Sequence, residues 1–439
     1  MPGETLLPFA QNPFCKTLGV KARAGEWELA LQWLLNAEGL GLASVEVFNA
    51  ALSACAKARA WPAALALLAS ELALAADAVT YSTAVSACER GGSWPWCLRL
   101  LAEMRSLRHR PDVSAHQSAA WCSGRAGRWR AAVEGLGEAR SHADVGLWSA
   151  TVWACEAARA APPPMPAALA DVKRKEASVL DFVKRRSEPG DLDSVLRAIE
   201  RFAGECSWLK VAGGPKAKLL SGCLRPGDRI LEFGAYVGYS ALTMVRHLRR
   251  LGGGGRVVSC EVDAGNARVA RATIAWAGAA GEAEVRVGRA ADWLSLRERL
   301  GQAELLVLDH RGTVYHEDLA AAEPLLACGA RVLADNVLLP GAPLFLCWVE
   351  ERHDVAIHDV PEFMRPDLDD WIVVSAPRRS ASAAAGSSAA RRDVRRDFRR
   401  LSAEVDAISW RSMREPVDWR AFQERLAPAL RRWREECGL

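Results

Sequence analysis

Residues 229–240, RILEFGAYVGYS, decide the fold that we expect for this chain. Apolar residues lead to Glu232, a Gly-X-X-X-Gly turn comes next, and apolar residues from Ala241 onward recur with helical spacing. That order predicts a buried parallel strand that ends in a tight loop and opens a helix. Gly234 and Gly238 allow a sharp turn and the close approach of a ligand. Since one glycine-rich turn is a weak signal, its interpretation depends on the strands and helices that come after it in the chain.

Strand and helix patterns alternate after this turn. The strand-like segments are residues 256–263, 282–290, 304–310, 331–337, 355–360 and 369–376. Helical patterns separate the earlier strands, and two more, at 171–186 and 192–205, precede the turn. Such alternation predicts an α/β fold with a doubly wound, mostly parallel sheet and helices on both faces.

Acidic residues stand at the ends of four predicted strands, namely Glu232, Glu261, Asp309 and Asp335. Parallel strands end at one edge of a sheet, where open α/β folds bind their ligands. Glu261, at the end of the second strand, can accept both hydroxyls of a ribose. Asp309, Asp335 and the amide oxygen of Asn336 offer the hard oxygen ligands that Mg²⁺ prefers. One such acid could be a helix cap or a turn residue, but four at four strand ends favour a site.

Residues 171–376 resemble the catechol O-methyltransferase family. The resemblance is carried by residues 187–200 (SEPGDLDSVLRAIE), 231–244 (LEFGAYVGYSALTM), 305–310 (LLVLDH), 333–343 (LADNVLLPGAP) and 361–364 (PEFM). It implies a Rossmann-like class I methyltransferase domain that uses S-adenosylmethionine and Mg²⁺. The implied reaction is transfer of a methyl group to a hydroxyl of a catechol-like small molecule.

The same resemblance implies roles for individual residues. The implied donor-binding residues are Ala212, Glu232, Gly234, Tyr236, Ser240, Glu261, Ala290, Asp309 and His310. The implied metal ligands are Asp309, Asp335 and Asn336. The implied catalytic residues are Asn336, Lys216 and Glu362, of which Glu362 would accept a hydrogen bond from the hydroxyl that is not methylated.

Several residues expected near the methyl acceptor differ from those of the family pattern. Gly312 stands where the family has the lysine that removes the proton from the attacking hydroxyl, and glycine cannot act as a base. Arg311 replaces an aromatic residue, and its guanidinium group is a poor proton acceptor. Lys210 replaces a methionine, whereas Trp208 is retained. Lys216 matches another lysine of the family and is the first candidate for the missing base.

The first third of the chain contains an internal repeat. Trp27, Trp61, Trp94 and Trp129 recur at spacings of 34, 33 and 35 residues, and Cys55, Cys88, Cys122 and Cys155 at 33, 34 and 33. This period is typical of stacked helix-turn-helix repeats. Residues 15–160 resemble degenerate pentatricopeptide repeats, which read one RNA base each through side chains near the start of the first helix. The matching positions lie near Ala50 and Thr83, and alanine offers no hydrogen bond to a base.

The repeats leave two functions open. RNA recognition is one, and docking of a protein partner is the other. The repeated Cys and Trp are interpreted as packing residues rather than as metal ligands or stacking platforms. An alternative function for the whole chain is an RNA-binding repeat protein whose methyltransferase domain modifies RNA or is impaired because the family's lysine is Gly312.

These patterns divide the chain into four regions. They are a helical repeat array at 1–160, a Pro-rich linker at 161–170, the methyltransferase domain at 171–376, and a basic linker with a helical tail at 377–439. Eight Arg and two Asp between Arg378 and Arg400 give that stretch a charge of +6, whereas the whole chain carries +4. Only the tail is therefore basic. Two helical patterns in it, near 394–410 and 419–434, are expected to pack on the core.

The composition indicates a globular protein of the cell interior. None of the 12 Cys forms a C-X-X-C pair, which argues for reduced thiols rather than a disulfide framework or a zinc site. No apolar run reaches the ~18–20 residues that span a bilayer. The first residues lack the basic segment and long apolar core of a secretion signal. We therefore expect an intracellular location, cytoplasmic or organellar.

Overall fold

The computed structural model describes residues 27–39, 44–70, 76–139, 143–164, 175–252, 254–378, 389–412 and 415–439. The chain divides into two compact units, residues 1–172 and 173–439. In these ranges, no helix combines the length and the apolar character that crossing a membrane requires.

The first unit is an array of helices. They are α1 (Trp27–Gly39), α2 (Val45–Lys57), α3 (Trp61–Leu68), α4 (Ala78–Arg90), α5 (Trp94–Ser106), α6 (Val113–Arg125), α7 (Trp129–Ala139) and α8 (Val145–Ala157). Polar side chains cap the starts of α2, α4, α6 and α8, each by accepting a hydrogen bond from a backbone N–H of the first turn; they are Ser44, Asp77, Asp112 and Asp144. The predicted helical array is confirmed.

The repeated residues occupy two kinds of position in this array. A repeat Trp opens each of α1, α3, α5 and α7. The repeat Cys are almost fully buried in the helices that alternate with these, with at most 1% of their surface exposed. Thr83 donates a hydrogen bond to the carbonyl oxygen of Val79 in its own helix. The assignment to the pentatricopeptide family stays a prediction.

The second unit is built on a seven-stranded sheet with the order β3-β2-β1-β4-β5-β7-β6. The strands are β1 (Arg229–Phe233), β2 (Arg256–Glu261), β3 (Ala283–Val287), β4 (Ala303–Leu308), β5 (Leu326–Ala334), β6 (His353–Glu362) and β7 (Arg365–Pro377). The first five are parallel, and β7 runs antiparallel to both β5 and β6. The order reverses direction beside β1, which places the ligand crevice beyond its carboxyl end.

Helices surround this sheet. They are α9 (Lys175–Arg186), α10 (Leu192–Glu205), α11 (Gly214–Gly222), α12 (Tyr239–Leu251), α13 (Ala264–Trp276), α14 (Ala290–Leu294), α15 (Tyr315–Ala322), α16 (Pro343–Arg352), α17 (Ala389–Ser412) and α18 (Trp419–Cys437). Four of the five residues of β1 are buried, because helices cover both faces of the sheet at this central strand. The Rossmann-like α/β fold predicted from the sequence is confirmed.

The turn after β1 requires glycine at position 234. Gly234 has a φ of +102°, and a Cβ built there would lie 2.3 Å from the carbonyl oxygen of Asp309. Only a residue without a side chain lets this turn approach the end of β4 so closely. Gly234 therefore sets the distance between two of the four acidic strand ends.

Within the second unit, the C-terminal helices α17 and α18 pack on the rest of the unit, as expected. Leu426 and Leu430 are buried, and a Cβ at Gly341 would lie 2.8 Å from Cδ2 of Leu426. Arg434 pairs with Asp359 at 2.8 Å on the sheet. Most of the expected low-complexity linker (residues 379–388) and most of the predicted Pro-rich linker (residues 165–170) lie outside the described residues.

Candidate active site

Glu232 presents a buried, unpartnered oxygen at the carboxyl end of β1. The side chain is completely buried, and Oε2 accepts a hydrogen bond from the hydroxyl of Ser259. Oε1 has no hydrogen-bond partner. Burial raises the pKa of Glu232 to about 7, against the opposing effect of the nearby hydroxyl groups of Ser240 and Ser259. A buried acceptor without a partner is costly, so this oxygen suits a donor group of a ligand.

Glu261 lies at the end of β2 and is held by backbone amides. Its Oε2 accepts from the N–H of Tyr236, and its Oε1 from the N–H of Asp263, both at 2.9 Å. Tyr236 adopts a left-handed conformation, with φ of 46°, in the glycine-rich turn. Burial raises the pKa of Glu261 to about 7. These two hydrogen bonds fix the orientation of the carboxylate beside the glycine-rich turn. Each of its oxygens still has a lone pair that can accept a hydrogen bond from a hydroxyl group.

The other predicted donor-binding residues surround the same edge of the sheet. Ser240 is buried in the first turn of α12, and Ala290 begins α14. The Nε2 of His310 lies 2.7 Å from Oδ2 of Asp318, whereas its Nδ1 is buried and has no partner. The ring of His310 stands edge-to-face with Phe233, with 5.6 Å between centroids. Ala212 is buried in the segment that leads to α11.

The three predicted metal ligands come after two adjacent parallel strands. Asp309 stands directly after β4, and its N–H donates to the carbonyl oxygen of Phe233 at 2.9 Å. Asp335 stands directly after β5, and its N–H donates to the carbonyl oxygen of Leu308 at 2.9 Å. Burial and then the charge of Asp335 raise the pKa of Asp309 well above its usual range. Two carboxylates that repel each other in this way provide a place for a cation.

Asn336 adopts a left-handed conformation that turns its amide toward β7. Its φ is 57°, and its Nδ2 donates to Oδ2 of Asp370 at 3.0 Å. Because the amide nitrogen is used in this bond, the amide oxygen is the atom left for a ligand. Among the described residues, no three His, Cys, Asp or Glu side chains form a group that could hold a metal. The predicted set contains only two such residues, and its third oxygen comes from Asn336.

Lys216 lies at the centre of a buried ionic cluster. Its ammonium group is 2.9 Å from Oδ1 of Asp335, 2.6 Å from Oε2 of Glu362 and 2.7 Å from Oδ2 of Asp370. Burial alone would lower its pKa, but the three carboxylates raise the pKa of Lys216 well above 10.5. The amine therefore stays protonated at neutral pH. This geometry argues against the expected role of Lys216 as the base and makes it a positioning residue.

Asp370 is a buried member of this cluster that the sequence reasoning did not single out. Besides Lys216, its carboxylate accepts hydrogen bonds from backbone N–H groups of Leu338, Leu339 and Trp371 at 3.2, 3.0 and 2.7 Å. It therefore fixes the loop after Asn336. The sequence does contain a signal that could have identified Asp370. In the strand pattern 369–376 alternate residues face the same side, and this alternation places Asp370 on the side of the buried residues.

Glu362 lies at the end of β6 and is 7% exposed. Burial raises its pKa to about 7, while the nearby charge of Lys216 acts in the opposite direction. Its Oε2 is bonded to Lys216, so its second oxygen is the one that can accept from a bound hydroxyl.

Gly312 lies where the chain is too crowded for a side chain. A Cβ built there would lie 2.6 Å from the carbonyl oxygen of Gly341. The neighbouring Thr313 donates to Oδ1 of Asp406 on α17 at 2.9 Å, and Arg311 lies 3.5 Å from the same carboxylate oxygen. The loop that carries the family's lysine is thus occupied here by contacts with the C-terminal tail.

Comparison with known proteins found similarity over part of this chain. A family model described as a methyltransferase domain matches residues 231–337. Among solved structures, the chain is similar to an O-methyltransferase of Streptomyces achromogenes involved in tomaymycin synthesis, determined in complex with SAM. That similarity has a TM-score of 0.37 and 23% identity, and covers 46% of this chain and 96% of the other.

Two curated relatives are more similar in sequence. Mouse catechol O-methyltransferase is 32% identical over 182 residues, which make up 40% of this chain and 68% of the mouse protein. Human transmembrane O-methyltransferase is 34% identical over 211 residues, which make up 45% of this chain and 71% of the human protein. With its sheet order and its acidic strand ends, the chain belongs to the catechol O-methyltransferase family and is an S-adenosylmethionine-dependent O-methyltransferase.

Proposed function

We propose that the second unit methylates a hydroxyl of a catechol-like small molecule and that it requires Mg²⁺. One observation carries this proposal. Asp309 and Asp335 stand directly after the adjacent parallel strands β4 and β5, each tied by its N–H to the neighbouring strand. The amide nitrogen of Asn336 is hydrogen-bonded to Asp370, so its amide oxygen is the atom that remains for a ligand. The buried Glu362 lies beside the same cluster.

The residues around Glu232 and Glu261 support a binding mode for the methyl donor. The unpartnered Oε1 of Glu232 would accept from the amino group of the donor, and Glu261 would accept from its ribose hydroxyls. The unpartnered Nδ1 of His310 would lie beside the adenine. These contacts would hold the donor so that its methyl group faces the carboxylates that end β4 and β5.

The acceptor would bind against Asp309, Asp335, Asn336 and Glu362. Mg²⁺ bound by Asp309, Asp335 and Asn336 would act as a Lewis acid on the two adjacent hydroxyls of a catechol. Glu362 would accept a hydrogen bond from the hydroxyl that is not methylated. Lys216 holds the carboxylates of Asp335 and Glu362 in place. Since the methyl transfer needs two reacting atoms at attack distance, this positioning would supply much of the rate.

A methyl-transfer assay tests the proposal. The full chain is incubated with radiolabelled donor and catechol, with Mg²⁺ or with a chelator, and donor binding is measured separately by calorimetry. We expect transfer that requires Mg²⁺. Asp335→Ala should abolish the Mg²⁺-dependent transfer, whereas Asp354→Ala, at an exposed position of β6, should not. Donor binding without any transfer to catechol would contradict the proposal.

Gly312 favours a second candidate function, because it stands where the family has its lysine. Under this alternative the repeats bind RNA, and the methyltransferase domain modifies RNA or is impaired. The repeat array contains a groove lined by Lys57, Ser82, Thr83, Arg90 and Asp112. The same assay with RNA as the acceptor distinguishes this alternative, because transfer to RNA in the absence of transfer to catechol would support it.

A further inference from the structure

Two loops that begin at the proposed metal ligands touch each other. Residues 310–314 come after β4 and are called the β4 loop here, and residues 336–342 come after β5 and are called the β5 loop. A Cβ built at Gly312 of the β4 loop would lie 2.6 Å from the carbonyl oxygen of Gly341 in the β5 loop. Because the two backbones are this close, a shift of one loop requires a shift of the other.

The C-terminal helices cover both loops. Val405 of α17 and Leu426 of α18 are 1% and 2% exposed. A Cβ at Gly341 would lie 3.3 Å from Cγ2 of Val405 and 2.8 Å from Cδ2 of Leu426. On the β4 loop, Thr313 donates a hydrogen bond to Oδ1 of Asp406 at 2.9 Å. Two consecutive residues of α17 therefore contact one loop each.

Asp406 ties the β4 loop to a helix that is itself anchored. Thr313 is 9% exposed, so its hydroxyl has little access to water, and a carboxylate is a strong acceptor for it. The Nε of Arg311 lies 3.5 Å from the same oxygen of Asp406. Phe398 and Ile408, which are 3% and 5% exposed, hold α17 on the rest of the unit. Asp406 thus connects a buried helix face to the loop.

The β4 loop needs a fixed position because it begins next to a proposed metal ligand. Asp309 stands between the end of β4 and this loop, four residues before Thr313. Mg²⁺ requires near-ideal octahedral geometry, so small shifts of a ligand matter. Contacts that orient metal ligands from outside often change the affinity for the metal as much as they change activity.

We propose that the C-terminal tail is a clamp that holds the β4 and β5 loops together, and that Asp406 is the positioning residue that fixes the β4 loop through Thr313. The inference deepens the proposed function and rests on it. The clamp keeps Asp309 at the correct distance from Asp335 and Asn336, so that the three ligands are in place before the metal binds. Asp406 acts through Thr313 and not on the reacting groups.

Asp406→Ala is the direct test. Mg²⁺ is titrated into the full chain, saturated with S-adenosylmethionine, and its Kd is measured by calorimetry. We expect this Kd to rise roughly tenfold, the lower end of the effect of residues that orient metal ligands, with donor affinity unchanged. Asp406→Asn keeps an acceptor oxygen for Thr313 and should recover most of the affinity. Glu404→Ala, at an exposed position of α17, is the matched control and should behave as the wild type.

A double-mutant cycle tests the contact itself. Thr313→Val removes the hydroxyl and keeps the size of the side chain, and it should weaken Mg²⁺ binding about as much as Asp406→Ala. Since both changes break one interaction, the double variant should bind Mg²⁺ little more weakly than either single variant. Effects on Kd that multiply in the double variant would overturn the tie between Thr313 and Asp406.

Hydrogen exchange of the backbone amides measures the clamp without metal. Residues 310–316 should exchange faster in Asp406→Ala than in the wild type or in Glu404→Ala. Unchanged exchange would overturn the proposal even if the wild type binds no Mg²⁺, the result that refutes the proposed function itself. Wild-type Mg²⁺ affinity in Asp406→Ala would overturn it as well, while Mg²⁺-dependent transfer to catechol continued to support the proposed function.

Discussion

Lys216 connects three buried carboxylates, and its replacement tests how much stability this cluster contributes. In Lys216→Met the charges of Asp335, Glu362 and Asp370 would lose their cation. Removing one partner from a buried ion pair costs about 3–5 kcal/mol, so we expect a loss of that order in the free energy of unfolding at pH 7. Urea unfolding of the full chain measures it. Lys218→Met, on the same helix but exposed, should change stability by less than ~0.5 kcal/mol.

The sign of the pH dependence provides a second test of the same cluster. Since the pKa of Lys216 is raised above its usual 10.5, loss of its own proton reduces stability only as the pH rises from 10.5 through the folded-state pKa. Between pH 7 and pH 4 the amine stays charged, and only the carboxylates titrate. At acid pH the carboxylates of the variant become protonated and no longer need a cation. The difference between wild type and Lys216→Met should therefore shrink as the pH falls. A difference that is constant from pH 7 to pH 4 would show that lost packing, not charge, explains the effect.

We expect the buried charge of Glu232 to lower the stability of the ligand-free protein and to strengthen binding of the methyl donor. Its pKa is raised from 4.5 to about 7, mainly by burial, so the folded state resists its ionisation. A shift of this size corresponds to about 3 kcal/mol of stability, which is lost as the pH rises from 4.5 to 7. Glu232→Gln should therefore make the ligand-free protein more stable at pH 8 and leave its stability almost unchanged at pH 4, measured by urea unfolding.

The same variant should bind the donor more weakly. A hydrogen bond to a charged group contributes about 1.5–3 kcal/mol, which corresponds to roughly a 10–100-fold change in Kd. Calorimetry at pH 8 measures it. Higher stability without weaker donor binding would separate Glu232 from the donor site and would leave its unpartnered oxygen without a role.

Single residues show where sequence reasoning succeeded and where it stopped. Glu232 and Asp335 could be placed at one edge of the sheet because strand periodicity fixes where each strand ends. The partners of Lys216 could not, since Glu362 and Asp370 are 146 and 154 positions away. The sequence also did not reveal that position 312 is crowded, because the 2.6 Å between a Cβ there and the carbonyl oxygen of Gly341 arises from the approach of two separate loops.

At the scale of elements, the tail helices α17 and α18 lie outside residues 171–376, which carry the resemblance to the family. Their amphipathic pattern predicted packing on a core, but no sequence pattern showed which surface they would cover. In the structure, α17 meets the loop of Gly312, and α18 meets the loop of Gly341. Both loops border the proposed acceptor site. The tail therefore takes part in shaping that site, which a comparison limited to residues 171–376 would miss.

Replacing a buried residue of α18 tests whether the tail is part of the folded unit. Leu426 is 2% exposed and lies against Gly341. Leu426→Ala should destabilise the second unit by about 2–5 kcal/mol, the usual cost of removing a buried leucine side chain. Glu424→Ala, exposed on the same helix, is the control and should leave stability within ~0.5 kcal/mol of wild type. If Leu426→Ala unfolded with the wild-type midpoint, the tail would not contribute to the stability of this unit.

At the scale of the whole molecule, the chain joins an enzyme unit to a helical array that contains none of the proposed site residues. Residues 1–172 and 173–439 form separate compact units, and every donor, metal and acceptor contact proposed above lies in the second. The composition and period of the sequence predicted this division. They did not reveal what the array binds, because the positions near Ala50 and Thr83 carry side chains with little capacity to select a partner.

Separating the two units tests their independence and the alternative function together. A fragment of residues 173–439 should bind the donor with the affinity of the full chain and methylate catechol with the same kcat, because its site is complete. Calorimetry and the radiolabel assay measure both quantities. If the repeats instead present RNA to the enzyme, the fragment should lose methyl transfer to RNA, and the full chain should show it. A fragment that folds and binds the donor but loses transfer to catechol would mean that the repeats contribute to the acceptor site.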